Sequence, residues 1–215
     1  MLSLEEIFPL LGLRIRAGEL ELRGISDEDI VALVNLARRG VHPPDLMPFS
    51  TPWTDQPPGH LPLSFAQYHW GTRASFRLEA WQLNLVVSWR GTVVGTQGFT
   101  TTDYLVTRSG ETGSWLGREH QGRGIGTRMR QAMCAFLFDH LDAQQITSSA
   151  FIDNPASLEV SRKVGYRPNG IRRLVRRPGE WQANQMLVLT PDAFVRGPEL
   201  KVEGVAPVRR LIGLD

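Results

Sequence analysis

Trp115-Leu116-Gly117-Arg118-Glu119-His120-Gln121-Gly122-Arg123-Gly124-Ile125-Gly126-Thr127-Arg128-Met129 is the stretch whose reading decides the fold. It reads as the end of a strand, a turn studded with glycine, and the opening of an amphipathic helix. Three glycines at alternate positions leave the backbone bare where the helix starts. The first amides of a helix lack internal partners and sit at its positive dipole end, so a phosphate-bearing ligand can dock there. A Walker loop needs lysine and then Ser or Thr after its last glycine, whereas Gly126 is followed by Thr127 and Arg128. A dinucleotide fingerprint spaces its glycines G-x-G-x-x-G and carries an acid about 20 residues on. Here Gly122, Gly124 and Gly126 run G-x-G-x-G, and the next strand has no acid before Asp153. What fits is Gln-x-x-Gly-x-Gly, at Gln121, Gly124 and Gly126; a glycine turn that only packs a helix on a strand would share it.

Composition narrows the class. With 215 residues, 41% hydrophobic and 21% charged, the chain suits one globular domain with a sizeable core. A net charge of +2 gives no nucleic-acid footprint, and no basic stripe alternates with aromatics. The single cysteine, Cys134, rules out an internal disulfide and fits a reducing compartment. It falls inside a helix, where a small buried apolar residue is the simplest reading. No positive leader opens the chain, and no apolar run approaches membrane-spanning length. The expectation is a cytoplasmic protein with no membrane or nucleic-acid partner and no metal site.

Read outward from the turn, the chain alternates strands and helices. Leu20–Arg23 predicts a first strand, and Ser26 with Asp27, Glu28 and Asp29 caps a helix that runs to about Arg39. From Val41 to about Leu63 the chain is proline-rich and irregular, with Phe49 and Trp53 to pack it. A loop this long inside a domain is usually functional, and a wall of the substrate site is the expectation. A second helix is predicted from Ser64 to about Ala80, then a hairpin from Gln82–Trp89 to Thr92–Phe99, then a strand from Val106 to Leu116. Thr127 to about Leu141 forms the helix after the turn, followed by a strand from Gln145 to about Ile152. Asn154-Pro155 starts a short helix stopped by Gly165, and Ile171–Arg176 with Gln182–Leu189 forms a last hairpin. Residues 197–215 show no period and read as a tail outside a single domain of residues 1–196, frayed or laid on a second copy. The fold class is α+β, a mixed and mostly antiparallel sheet of about seven strands with helices against it.

Three separated pieces then resemble one family, the GCN5-related N-acetyltransferases, in its RimJ/RimL-like ribosomal-protein alanine acetyltransferase branch. Thr112-Gly113-Ser114-Trp115-Leu116-Gly117 is similar to the branch's Gly-Tyr-Trp-Leu strand. The Gln121–Gly126 turn is similar to its coenzyme A pyrophosphate loop. Asn154-Pro155-Ala156-Ser157, with Ser161, Lys163, Gly165 and Tyr166 after it, is similar to its Asn-x-x-Ser…Lys-x-Gly-Phe ending. The resemblance implies a strand pair, 114–116 and 147–152, that splays to hold the pantetheine arm of acetyl-coenzyme A. It implies pyrophosphate binding by the backbone amides of Gln121, Gly122, Arg123, Gly124, Ile125, Gly126 and Thr127. Trp115, Leu116, Asn154, Ser157 and Ser161 complete the implied cofactor set. Many members carry a tyrosine seven residues after the asparagine, as the acid for the leaving thiol; this chain has Ser161 there. Ser157 is the first choice for that proton, and Ser161 the reserve.

The chemistry asks for a base, an oxyanion donor and a thiolate partner. The backbone amide near Trp115 or Leu116 is the natural oxyanion donor. Glu111, in the strand that leads into the site, is the best-placed base, with Asp103, His120 and His69 as alternatives; a solvated strand carboxylate is an equal reading. Arg123, Arg128, Arg162 and Lys163 are candidates for the 3′-phosphate. The function so implied is acyl transfer from acetyl-coenzyme A to a primary amine, on a protein N-terminus or a small molecule, by direct attack in a ternary complex. A non-catalytic acyl-coenzyme A sensor on the same fold is the alternative. A homodimer is the further expectation.

Overall fold

The computed structural model describes residues 1–215 as one nine-stranded sheet with helices on both faces. In chain order the elements are α1 (Leu4–Ile7), β1 (Arg14–Ala17), β2 (Leu20–Gly24), α2 (Asp27–Arg38), α3 (Leu61–Ala74), β3 (Ala80–Trp89) and β4 (Thr92–Thr102). There follow α4 (Tyr104–Thr107), β5 (Ser109–Leu116), α5 (Ile125–His140), β6 (Gln145–Phe151) and α6 (Pro155–Val164). The chain ends with β7 (Arg167–Arg177), β8 (Glu180–Leu189), β9 (Lys201–Glu203) and α7 (Val205–Leu211). The strand order is β7-β8-β6-β5-β4-β3-β2-β1-β9. Every neighbouring pair is antiparallel except β5 and β6.

Alternation along the strands builds two cores. On β3, Leu83, Leu85 and Val87 face α5, where Met129, Met133, Phe136 and Leu137 cover them. Val86 faces the other way, against Ile30, Leu33 and Val34 of α2 and Phe65 of α3. Since a strand sends successive side chains to opposite faces, a near-continuous apolar run marks a strand buried on both sides. The helix α2 opens with a capping box: the Ser26 hydroxyl accepts from the Asp29 amide, and the Asp29 carboxylate accepts from the Ser26 amide. Arg23 pairs with the same carboxylate from β2, so one acid fixes the helix start to the sheet.

Several expectations on boundaries are corrected. The sheet has nine strands rather than seven; β1 and β9 were missed because four and three residues are too few to show a period. Residues 197–215 are not a loose tail. Here β9 pairs with β1, and α7 sends Val208 into the main core, with Ile212 behind it. Arg209 ties this end to the His140 carbonyl (2.7 Å) and to Asp142 (3.0 Å). The helix expected from Ser64 starts at Leu61, with Pro62 in its first turn, where a missing amide costs nothing. Residues 104–107 form a helical turn instead of the start of β5. The helix after the glycine turn begins two residues early, at Ile125.

Candidate functional site

The parallel pair β5–β6 is short. Its register runs Ser109↔Gln145, Gly110↔Ile146 and Glu111↔Thr147, and there pairing stops. Beyond it β5 stays on β4 as far as Leu116, while β6 stays on β8 as far as Phe151. The two strands therefore diverge into a wedge-shaped cleft with backbone edges on both walls. From Glu111 to Leu116 its wall is about 17 Å long at the usual strand rise. Hydroxyls close the apex: Ser148 donates to the Thr112 carbonyl (3.1 Å), and Thr147 donates to the Gly110 carbonyl (3.1 Å).

At the open end lies the N-terminus of α5. Gly122 (φ 72°) and Gly124 (φ 77°) both adopt the left-handed region, which a side chain rarely allows. No acceptor inside the protein takes the amides of residues 122–127, and Gly124 caps the helix without a side-chain hydrogen bond. Unpaired amides at a dipole end, with open space about Gly122 and Gly124, suit a diphosphate. Gly126 lies within the first turn of α5, where a Cβ would meet Val160 of α6 at an ordinary 3.4 Å.

The remaining residues named from sequence fall as follows. The Gln121 backbone amide donates to the Arg118 carbonyl (3.3 Å) rather than standing free, and its side-chain amide donates to the carbonyls of Leu116 (2.9 Å) and Val41 (2.7 Å), clamping the end of β5 to the proline-rich loop. Ile125 is buried as the anchor of the turn, Thr127 is half-buried and Arg123 is exposed. Asn154 caps α6 by accepting from the Ser157 amide (3.1 Å), leaving its own amide nitrogen free. Ser157 is half-buried with an unengaged hydroxyl. Ser161, by contrast, is buried and donates to the Ser157 carbonyl (3.0 Å), which turns it into its own helix. Glu111 is exposed at the last paired position, where its carboxylate accepts from Ser149 Oγ across the apex (2.9 Å).

The alternatives for the base separate clearly. His69 is buried on α3 against Phe65, and loss of solvent, with Arg73 nearby, depresses it to about 4. Asp103 lies at the start of α4, off the closed end of the cleft. His120 sits in the turn beside Glu119 (3.5 Å). Of the basic candidates, Arg162 and Lys163 pair with Glu159, and Arg128 lies over the Trp89 ring. Arg123 is the one with no ion pair or ring stacking.

Residues 41–60 form an ordered wall. Trp115 of β5 packs against Trp53 (5.4 Å between centroids), which also meets Phe49 and Phe65. The β7–β8 hairpin is tied to this same loop: Arg177 pairs with Asp55 (2.7 Å) and donates to the Pro44 carbonyl (3.1 Å). Beside Trp115 the sheet surface is bare at Gly113, whose register partner Gly98 is covered by the Asn84 side chain, 2.9 Å from where its Cβ would be. Nothing lies within 4 Å of where a Gly113 Cβ would be. Sequence reasoning missed the Arg177–Asp55 tie and the buried Arg130 of α5. The only local sign of the latter is an arginine beside Met129 on the apolar face of the helix.

These features are those of an acyl-coenzyme A fold, and comparison with known proteins agrees. A family model described as an acetyltransferase (GNAT) domain matches residues 19–167, and the chain belongs to that family. A Bacillus subtilis (strain 168) protein named "Probable N-acetyltransferase YjcK" is 32% identical over 82 residues, 37% of this chain and 45% of that protein. The chain thus matches less than half the length of that relative. Among solved structures, Mycobacterium smegmatis RimJ in complex with CoA-disulfide aligns with a TM-score of 0.69 at 21% identity, over 84% of this chain and 86% of that one. RimL, a ribosomal L7/L12 alpha-N-protein acetyltransferase in complex with coenzyme A, aligns at 0.67 and 17% identity, over 82% and 97%. At such identities the likeness is one of fold. No helix is long and apolar enough to cross a membrane.

Proposed function

We propose that the protein is an acetyl-coenzyme A-dependent N-acetyltransferase acting on a primary amine. The observation that carries this is the join of two features: β5 and β6 part beyond Glu111, and unpaired amides of residues 122–127 lie at the mouth of the gap. Acetyl-coenzyme A supplies the acyl group as a thioester. The amides from Gly122 to Thr127 hold its diphosphate, Arg123 meets the 3′-phosphate, and the edges of β5 and β6 with Asn154 hold the pantetheine arm. The Trp115–Leu116 backbone donates to the carbonyl oxygen. Glu111 first takes a proton from the acceptor ammonium; the freed amine attacks the carbonyl carbon, and as the carbon–sulfur bond breaks Ser157 donates to the sulfur and takes up the second proton that the nitrogen sheds. Ser161 is set aside, because its hydroxyl is committed to a helix carbonyl.

The acceptor enters over Gly113, beside the aromatic wall of Trp53 and Trp115. Protein N-termini and small amines are both candidates. RimL acts on a ribosomal protein and shares this fold, which favours a protein N-terminus as the first acceptor to try. A cytoplasmic location goes with a lone thiol, Cys134, that is buried and unpaired. A homodimer is the further reading, to be decided by sedimentation.

Calorimetric titration with coenzyme A, followed by thiol release from acetyl-coenzyme A over a panel of peptides and amines, tests the proposal. Micromolar binding with amine-dependent release is the expected result. Binding without release from any acceptor would favour an acyl-coenzyme A sensor. Absence of binding would overturn both readings.

A further inference from the structure

Arg130 is buried to 4% exposure on the second turn of α5, beneath the point where the sheet divides. Its guanidinium makes contact with three strands. Nε donates to Gln97 Oε1 on β4 (3.4 Å), one terminal nitrogen to Ser148 Oγ on β6 (3.0 Å), and the other to Ser114 Oγ on β5 (2.9 Å). All three acceptors are neutral, and no ion pair neutralises the charge. The titratable groups around it are Tyr166, whose ring faces it at 5.9 Å, and Cys134, which touches the Tyr166 hydroxyl. Burial pushes the Cys134 thiol up to about 11 and the Tyr166 phenol well above its usual value, so both are neutral at pH 7.

A buried, unneutralised cation is costly, and replacing such a group by an apolar side chain of similar volume is often neutral or stabilising. Stability therefore does not account for it. Its position does suggest a use. Ser114 and Ser148 stand on opposite walls of the cleft, just past the last β5–β6 pair, so Arg130 spans the gap where ladder hydrogen bonds end. A guanidinium has five N–H groups and three are used here. Two remain, with the full charge, at the level where β5 and β6 part.

We propose that Arg130 is a positioning residue for acyl transfer, fixing the separation of β5 and β6 through Ser114 and Ser148 and lending its charge to the departing thiolate. This rests on the cleft holding coenzyme A, as argued above. As the bond from carbon to sulfur breaks, the sulfur leaves with the electron pair, and a nearby fixed cation favours that charge before Ser157 or water delivers a proton.

The test uses the full chain and coenzyme A itself, with the thiol of bound coenzyme A titrated by its ultraviolet thiolate absorbance. In the unaltered protein it should titrate below the free thiol. Arg130→Met, which keeps the apolar stem, should raise it by about one unit, a tenfold loss of thiolate, with a comparable fall in kcat. Arg130→Lys, which keeps the charge, should restore most of the shift. Ser114→Asp should act like Arg130→Met by giving the cation a partner, and serves if the methionine variant fails to fold. A bound thiol that titrates alike in folded Arg130→Met or Ser114→Asp and the unaltered protein would overturn the inference. Failure of the unaltered protein to bind coenzyme A would instead overturn the cleft assignment on which it rests.

Discussion

Gly124→Ala isolates what the glycine turn contributes. Gly124 has φ 77°, and nothing lies within 4 Å of its would-be Cβ, so the substitution meets no clash and its cost is in the backbone alone. For an L-residue the left-handed region costs roughly 1–2 kcal/mol. If the turn relieves that strain by leaving the conformation in which its amides converge, the binding-competent fraction falls by the same free energy, or about 5- to 30-fold. Coenzyme A should therefore bind about 5- to 30-fold more weakly in calorimetric titration, with little change in the heat denaturation of the core. Gly124→Asn should lose less, since asparagine enters the left-handed region more readily. Gly179→Ala is the control: it too has φ 77° and open space, but lies in the β7–β8 turn. It should carry the same backbone cost without weakening coenzyme A binding. If Gly124→Ala binds within twofold of the unaltered protein, or Gly179→Ala weakens binding equally, the anion-loop argument is refuted.

Other outcomes follow from the same coordinates. Glu111→Gln should lower kcat at pH 7 about a hundredfold or more while leaving the donor KM near its original value, as removal of a general base does; steady-state kinetics with saturating amine would show it. Leu33→Ala, at a fully buried position of α2, should cost about 2–5 kcal/mol in urea denaturation. His69 is held neutral in the fold, near 4 against 6.5 for the free side chain, so the unfolded chain binds the extra proton. Its contribution is whole above pH 6.5 and is lost as pH falls towards 4, up to about 3 kcal/mol at 1.36 kcal/mol per unit. His69→Phe should flatten the stability curve across that window. Cys134, fully buried with its thiol pushed up to about 11, should resist alkylation at pH 8 until the protein is unfolded.

What the amino-acid order determined by itself was whatever a short window can encode. Alternate glycines forced a bare turn, the Ser26–Asp29 box started α2, Asn154-Pro155 started α6, and two-sided apolar runs marked β3 as a central strand. Each depends on residues within about four positions of one another, where propensity and capping act. The packing of Phe49 with Trp53 was also foreseeable, because prolines and aromatics in one loop imply an ordered one. Tertiary structure alone decided the rest. Whether β5 parts from β6 depends on strands β4 and β8 holding each outward, which no property of β5 specifies. The strands β1 and β9 exist because residues 14 and 203 meet across the length of the chain. Gln121, expected to offer its backbone amide to the pyrophosphate, bonds that amide to Arg118 and clamps β5 with its side chain, and Ser161, the reserve acid, is turned into its helix. Arg130 went unmarked in the sequence, and only the sheet closing over it shows it to be buried. In each case the side chain's chemistry was legible in the sequence, but its partners were set by contacts between residues far apart along it.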